Sequence, residues 1–140
     1  IQNRPDSAKP KGGFWTSPLL DSGISPFERY ENGSLISDKA KAWKIIPKKG
    51  CKVKSIQSEQ ELTNLPSIEH NSFHIDRTFI DFEEFFSQGY DGLHISGNIA
   101  HLKSFSDDYN LSAWDFETIL WDNLSWIDTI IEIKPSKERI

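Results

Sequence analysis

Two stretches far apart in the chain constrain it most. Near the start runs Lys9-Pro10-Lys11-Gly12-Gly13-Phe14-Trp15-Thr16-Ser17. Near the end runs Trp114-Asp115-Phe116-Glu117-Thr118, continuing through Ile119-Leu120-Trp121. The first leads from a flexible glycine pair into aromatic and hydroxyl residues that favour strands. The second sets two carboxylates two residues apart at the entrance to an apolar strand. Both place polar groups where a domain of 140 residues normally spends its positions on core.

The rest of the chain reads as short elements. Residues 13–20 form a strand or extended segment ended by Pro18. Further strands are read at 41–47, 52–56, 90–96, 116–121 and 127–133, where apolar residues alternate with polar ones or run together. Ser58 and Glu61 form a capping box that opens a short helix through Leu62 and Leu65, stopped by Pro66. Asp81 caps a second helix over 81–88, ended by Gly89, with Phe82, Phe85 and Phe86 on one face. Single helical turns are expected near 27–30 and 101–105. Residues 1–10 read as an irregular arm, 21–38 as a long loop and 68–79 as a polar connection. The expectation is one domain over residues 1–140, of α+β class: mostly antiparallel sheet with two or three short helices.

Hydrophobic residues make up 36% and charged residues 26%, the balance of a folded domain rather than a disordered tail. No stretch approaches the roughly 20 apolar residues of a membrane span, so no membrane partner is expected. Cys51 is the single cysteine, which rules out an internal disulfide. With no signal-peptide pattern at the start, a reducing, cytoplasmic setting in a bacterium or phage is the expectation. The net charge of −5 is unevenly spread. Lys39, Lys41, Lys44, Lys48, Lys49, Lys52 and Lys54 fall in one stretch without an acid. It reads either as a solvated lysine-rich loop or as a patch for phosphate, RNA or an acidic partner.

Each motif has two readings. Gly12 and Gly13 let backbone approach a ligand, Phe14 or Trp15 can stack on a flat ring, and Thr16 and Ser17 can bond a ribose or phosphate. The same residues equally describe a glycine turn leading into a core strand with Trp15 inside. Asp115 and Glu117 share one side of a strand, and Phe116 takes the other. Paired carboxylates suit a cleft or, equally, a solvated sheet edge. The segment 90–96 lines a pocket with Tyr90, Asp91 and His94, or buries Leu93 and Ile95 as a central strand. His70 and His74 stand four apart but outside a helical pattern, and Cys51 and His94 lack zinc spacing, so no metal is expected. A Cys51–histidine nucleophile pair has only the presence of both residue types behind it.

The order of the two motifs resembles the ADP-ribosyltransferase superfamily. There, one strand carries a Ser-Thr-Ser-type motif under the NAD pocket, and a later strand ends an acidic motif in a catalytic glutamate. Phe14-Trp15-Thr16-Ser17 looks like the first and Asp115-Phe116-Glu117 like a variant of the second. The resemblance implies an ADP-ribosyltransferase-like fold, NAD as substrate and a protein or nucleic-acid acceptor. It implies that Glu117 stabilises the ribosyl oxocarbenium ion and Asp115 orients or deprotonates the acceptor. It implies further that Trp15 walls off the nicotinamide, the Gly12–Gly13 backbone bonds the carboxamide, and Lys9 or Lys11 meets the pyrophosphate. The family also has an Arg or His on its first strand. Here Arg4 is the one such residue ahead of Trp15, in the stretch read as irregular.

Overall fold

The two distant motifs lie on adjacent strands of one sheet. The computed structural model describes residues 1–4, 7–31, 41–72, 75–103, 109–111 and 113–134. The elements are β1 (Gln2–Arg4), β2 (Ser7–Lys11), β3 (Phe14–Thr16), α1 (Pro26–Glu31), β4 (Ala42–Pro47), β5 (Val53–Ile56) and α2 (Glu59–Thr63). They continue with β6 (Ser67–Ser72), β7 (Ile75–Ile80), α3 (Phe82–Ser87), β8 (Gly92–Ile95), α4 (Gly97–Lys103), β9 (Thr118–Trp121) and β10 (Ile127–Ile133). The class is α+β, with mostly antiparallel pairing and short helices.

The main sheet has the order β3-β9-β8-β5. β3 runs antiparallel to β9, with Phe14 opposite Trp121, Trp15 opposite Leu120 and Thr16 opposite Ile119. β8 runs antiparallel to β9, with His94 opposite Ile119. β5 runs parallel to β8, with Ser55 opposite His94. Strand alternation sorts these residues onto two faces. Trp15, Leu120, Leu93, Ile95 and Ile56 share the face that packs into the core. Thr16, Ile119, Trp121, His94 and Ser55 share the other. Three two-stranded ribbons flank the sheet: β1–β2, β4–β10 and β6–β7.

Local chemistry sets the helices. Asp81 accepts from the Glu84 amide at 3.0 Å and caps α3, whose Phe82, Phe85 and Phe86 are all buried. Phe82 stacks on Trp114 with ring centres 5.9 Å apart, and Phe85 stacks on Tyr90 at 4.8 Å. Ser58 accepts from the Glu61 amide at 3.2 Å, while its hydroxyl donates to the Glu61 carboxylate at 3.1 Å. The expected box thus closes on the hydroxyl. Lys103 on α4 reaches Glu59 at the start of α2, 3.0 Å away. Tyr109 is buried beside these helices, and burial holds its phenol well above the usual range, so it serves as a protonated core residue at physiological pH.

Two expectations from the sequence are corrected. The first ten residues, expected as an irregular arm, supply β1 and β2, with Ala8 and Pro10 buried. Asn3 fastens this ribbon: it accepts from the amides of Phe82 at 2.8 Å and Glu83 at 3.2 Å, and donates to the Ile80 carbonyl at 2.7 Å. Arg4 therefore stands on a strand, opposite Ser7, and is exposed. Of the stretch 68–79, expected as a connection, residues 68–72 and 75–79 belong to the β6–β7 ribbon, paired from Ser67 opposite Ile80 to Ser72 opposite Ile75, and 73–74 lie outside the described residues. In both cases backbone pairing carries the element, and a polar composition hides it. Helices number four among the described residues; α1 and α4 extend the single turns expected near 27–30 and 101–105.

Gly13 closes the turn between β2 and β3 at φ +87°, and a Cβ there would lie 2.7 Å from Leu120 Cδ1 and 2.9 Å from Ile1 Cδ1. Gly13→Ala combines left-handed strain with overpacking. It is expected to destabilise the fold by about 2–4 kcal/mol, read as a lower midpoint in urea at unchanged m-value.

Candidate functional site

On the face away from the core, side chains from two neighbouring strands, β5 and β8, and from Glu117 just ahead of a third, β9, form a continuous polar row. Ser55 Oγ lies 2.9 Å from His94 Nδ1, and His94 Nε2 lies 2.8 Å from Glu117 Oε1. The row follows from register. Parallel pairing sets Ser55 beside His94, and antiparallel pairing sets β8 beside β9, just ahead of which Glu117 enters. The side chains of His94 and Glu117 keep 15% and 24% of their exposure, so the row is shielded yet reachable.

The hydrogen-bonding inventory orders the row. An ionised carboxylate only accepts, so neutral His94 must donate from Nε2 to Glu117. Nδ1 is then an acceptor, and the Ser55 hydroxyl donates to it. A basic nitrogen held against a hydroxyl, with its ring fixed by a carboxylate, is an arrangement for moving a proton.

The neighbourhood is aromatic and hydroxylic. Trp121 Nε1 donates to Thr16 Oγ1 at 2.8 Å, and the Trp121 ring stacks on Trp126 with centres 3.6 Å apart. Trp121 lies over β8 only because residue 92 is glycine: a Cβ there would stand 2.9 Å from its ring. The Ser17 hydroxyl donates to the Glu117 carbonyl at 3.1 Å and accepts from the Phe27 amide at 3.1 Å. Phe27 in turn faces Phe116, ring centres 5.6 Å apart. Ser17 thus pins the start of α1 against the approach to β9.

The residues singled out from the sequence separate into two groups. Ser17, Thr16 and Glu117 come together. Trp15 does not join them: its indole packs edge-on against Trp114, 4.8 Å between centres, on the core face. The core-strand reading of Trp15 is the correct one, because register with Leu120 sends it inward. Phe14 is its exposed neighbour on the other face. Gly12 and Gly13 sit at the Trp121 end of β9, about 13 Å along the strand from Glu117. That separates them from any carboxamide held at Glu117. Lys9 and Lys11 are exposed on β2, near that far end. Residues 114–117 precede the strand, so Asp115 does not share a strand face with Glu117; it is exposed, and Phe116 is half-buried beside Phe27.

Other polar groups have structural partners. Asp91 accepts from the Lys52 amide at 2.7 Å, tying β5 to β8, and Tyr90 stacks on Phe85. His94 is engaged by Ser55 and Glu117 and is no partner for Cys51, which is half-buried. His70 stands on β6, and His74 lies outside the described residues. Among the described residues no group of three or more His, Cys, Asp or Glu is placed to hold a metal, and no helix is long and apolar enough to cross a membrane. An open depression of about 510 Å³ lined by Lys54, Glu61, Asn64, Glu84, Gln88 and Tyr90 shares no residue with the Ser55–His94–Glu117 row.

Sequence reasoning picked out Glu117, named His94 with Tyr90 and Asp91 as a pocket lining or else part of a central strand, and passed over Ser55. His94, a single polar residue between Leu93 and Ile95, was the available signal, but only strand pairing shows that it meets Ser55.

Glu117 is expected to set the tautomer of His94. Long-range ¹H–¹⁵N correlation spectra should show the Nε2–H form for the neutral ring, retained in Ser55→Ala and lost to a mixture in Glu117→Ala. A ring protonated on Nδ1 in the native protein contradicts the assigned row.

Comparison with known protein families, with curated proteins and with solved structures finds no match, so the functional reading rests on the residues themselves.

Proposed function

We propose that this chain cleaves NAD and transfers the ADP-ribosyl group to a macromolecular acceptor, with Glu117 stabilising the ribosyl oxocarbenium ion. The observation that carries this reading is the meeting of two motifs one hundred residues apart, through the Ser17 hydroxyl and the Glu117 carbonyl at 3.1 Å. Support also comes from the state of Glu117. One carboxylate oxygen is held by His94 at 2.8 Å, which leaves the other for a ribose hydroxyl. A fixed, partly desolvated carboxylate is more effective than a mobile one at stabilising positive charge that develops as the nicotinamide leaves. The finer assignment, an ADP-ribosyltransferase-like fold, goes with this reading.

The geometry redistributes the remaining roles. With Trp15 in the core, the aromatic wall for the nicotinamide falls to Phe27 and Phe116 beside Ser17. The Gly12–Gly13 turn, with Lys9 and Lys11, lies far enough away to meet the phosphate end of an extended dinucleotide instead of its carboxamide. Asp115 is exposed two residues before Glu117, and its role toward the acceptor goes with this reading.

Incubation with NAD and measurement of free nicotinamide is the test. Glu117→Gln should lower release by about 10²–10³-fold, while Lys44→Glu, on the distant ribbon, leaves it unchanged. Release by Glu117→Gln at the native rate removes the reading.

The β4–β10 ribbon favours a second reading, a non-catalytic binding module in a phage or bacterium. Trp43 is 53% exposed, and Ile130 and Ile131 are exposed as well. Lys44, Lys48, Lys49 and Lys52 are exposed on and after the same strand; Lys41 pairs loosely with Glu132 at 3.8 Å, and Lys39 lies outside the described residues. An exposed indole among lysines suits a phosphate-bearing strand whose bases stack. Charge reversal at Lys48, Lys49 and Lys52 should weaken binding of a labelled single-stranded oligonucleotide at least tenfold, with Asp115→Asn without effect. Equal affinity in both variants excludes the ribbon as the binding surface.

A further inference from the structure

We infer that Ser55 is the nucleophile of an acyl-transfer site, with His94 as its general base and Glu117 as the residue that orients the imidazole. The substrate class is an activated carboxylic ester or thioester. This goes beyond the NAD reading: it shares Glu117 but breaks a different bond at a different atom.

Three observations carry it. The first is the order of the row. Glu117 holds the Nε2–H, which turns the lone pair of Nδ1 onto the Ser55 hydroxyl at 2.9 Å. Nucleophile, base and orienting carboxylate within hydrogen-bond reach form the general arrangement for activating a serine. The nitrogens exchange places relative to the serine-protease template, which changes the ring's approach and not its proton chemistry.

The second is the position of Ser55 at an edge. Among the described residues β5 has one strand neighbour, β8. The Gly92 amide donates to the Lys52 carbonyl at 3.2 Å and the Ser96 amide to the Ile56 carbonyl at 3.0 Å. In a parallel ladder that phase directs the backbone of Lys54 and Ile56 toward β8 and the backbone of Ser55 outward. The Ser55 amide therefore faces the free edge, while the hydroxyl of the same residue reaches His94 on the other side. An amide next to the nucleophile is where an oxyanion donor is needed.

The third is that the row is not needed for the core. Ile56, Leu93, Ile95 and Leu120 bury the opposite face of the same strands. A sheet face with only a structural duty takes apolar or singly solvated residues there, not three linked polar groups from two strands and the residue leading into a third.

The step balances as follows. Ser55 Oγ adds to the substrate carbonyl carbon as its proton passes to His94 Nδ1, and the oxyanion meets the Ser55 amide. Collapse breaks the bond to the leaving alkoxide or thiolate, which takes the proton from Nδ1. Water then adds to the acyl-serine with His94 as base, Ser55 Oγ departs with that proton, and the carboxylic acid is released.

The test uses the whole chain, p-nitrophenyl acetate and a fluorophosphonate probe, with no NAD present, so that its outcome is separate from that of nicotinamide release. Expected are a burst of nitrophenolate and modification mapped to Ser55 by peptide mass spectrometry. Ser55→Ala should abolish both, and His94→Ala should slow labelling by about 10²-fold or more. His94→Asn, which keeps a donor for Glu117, gives the same readout should His94→Ala fail to fold. Absence of modification at Ser55 in the native chain, or labelling of a folded His94 variant at the native rate, overturns the proposal.

Discussion

The pairing of β9 on both its sides is the constraint on which the rest depends. One side receives β3, so the glycine turn and its hydroxyls are drawn across a hundred residues to the acidic motif. The other receives β8, and β8 brings β5. Ser55 and His94 arrive on different strands, and Glu117 at the entrance to a third. None of them would be near another without the ladders, and backbone hydrogen bonds are indifferent to side-chain chemistry. The architecture supplies position, and the residue types supply function.

The same sheet separates two duties by alternation. One face is committed to packing: Trp114 lies between Trp15, edge-on at 4.8 Å, and Phe82, stacked at 5.9 Å, and joins the sheet to α3. Such aromatic contacts add about 0.5–1.5 kcal/mol each beyond the area they bury. The other face packs at its Trp121 end, where that ring stacks on Trp126, and carries the polar row beyond it. Register is what keeps the duties apart, since a slip of one residue would move Trp15 to the open face and Glu117 into the core.

Much of the frame could be read from residues alone. The runs at β4, β5, β8, β9 and β10 show apolar strand patterns, and Ser58 and Asp81 mark helix starts by capping chemistry that acts over three residues. The three phenylalanines of α3 were visible as a buried face for the same local reason. The β1–β2 and β6–β7 ribbons were not visible, because their stability comes from pairing and, at Asn3, from hydrogen bonds to a segment some eighty residues away. The site was half visible. Glu117 belongs to a local motif. The choice between Phe14 and Trp15 for the open face depends on register against β9, and the partnership of Ser55 with His94 depends on a parallel crossover that leaves no mark in either segment. The strand expected to start at 116 begins at Thr118, which leaves both Asp115 and Glu117 outside its alternation.

The link between Ser17 and Glu117 has a bearing on how the molecule acquires its chemistry. Closing a loop of that length costs conformational entropy that only the finished sheet recovers. The contact between Ser17 and Glu117 is therefore foreign to locally ordered states of the chain and belongs to the assembled sheet. A chain carrying only one end of the molecule lacks the strands that set His94 beside Ser55 and Glu117, so it holds neither an oriented imidazole nor a shielded carboxylate.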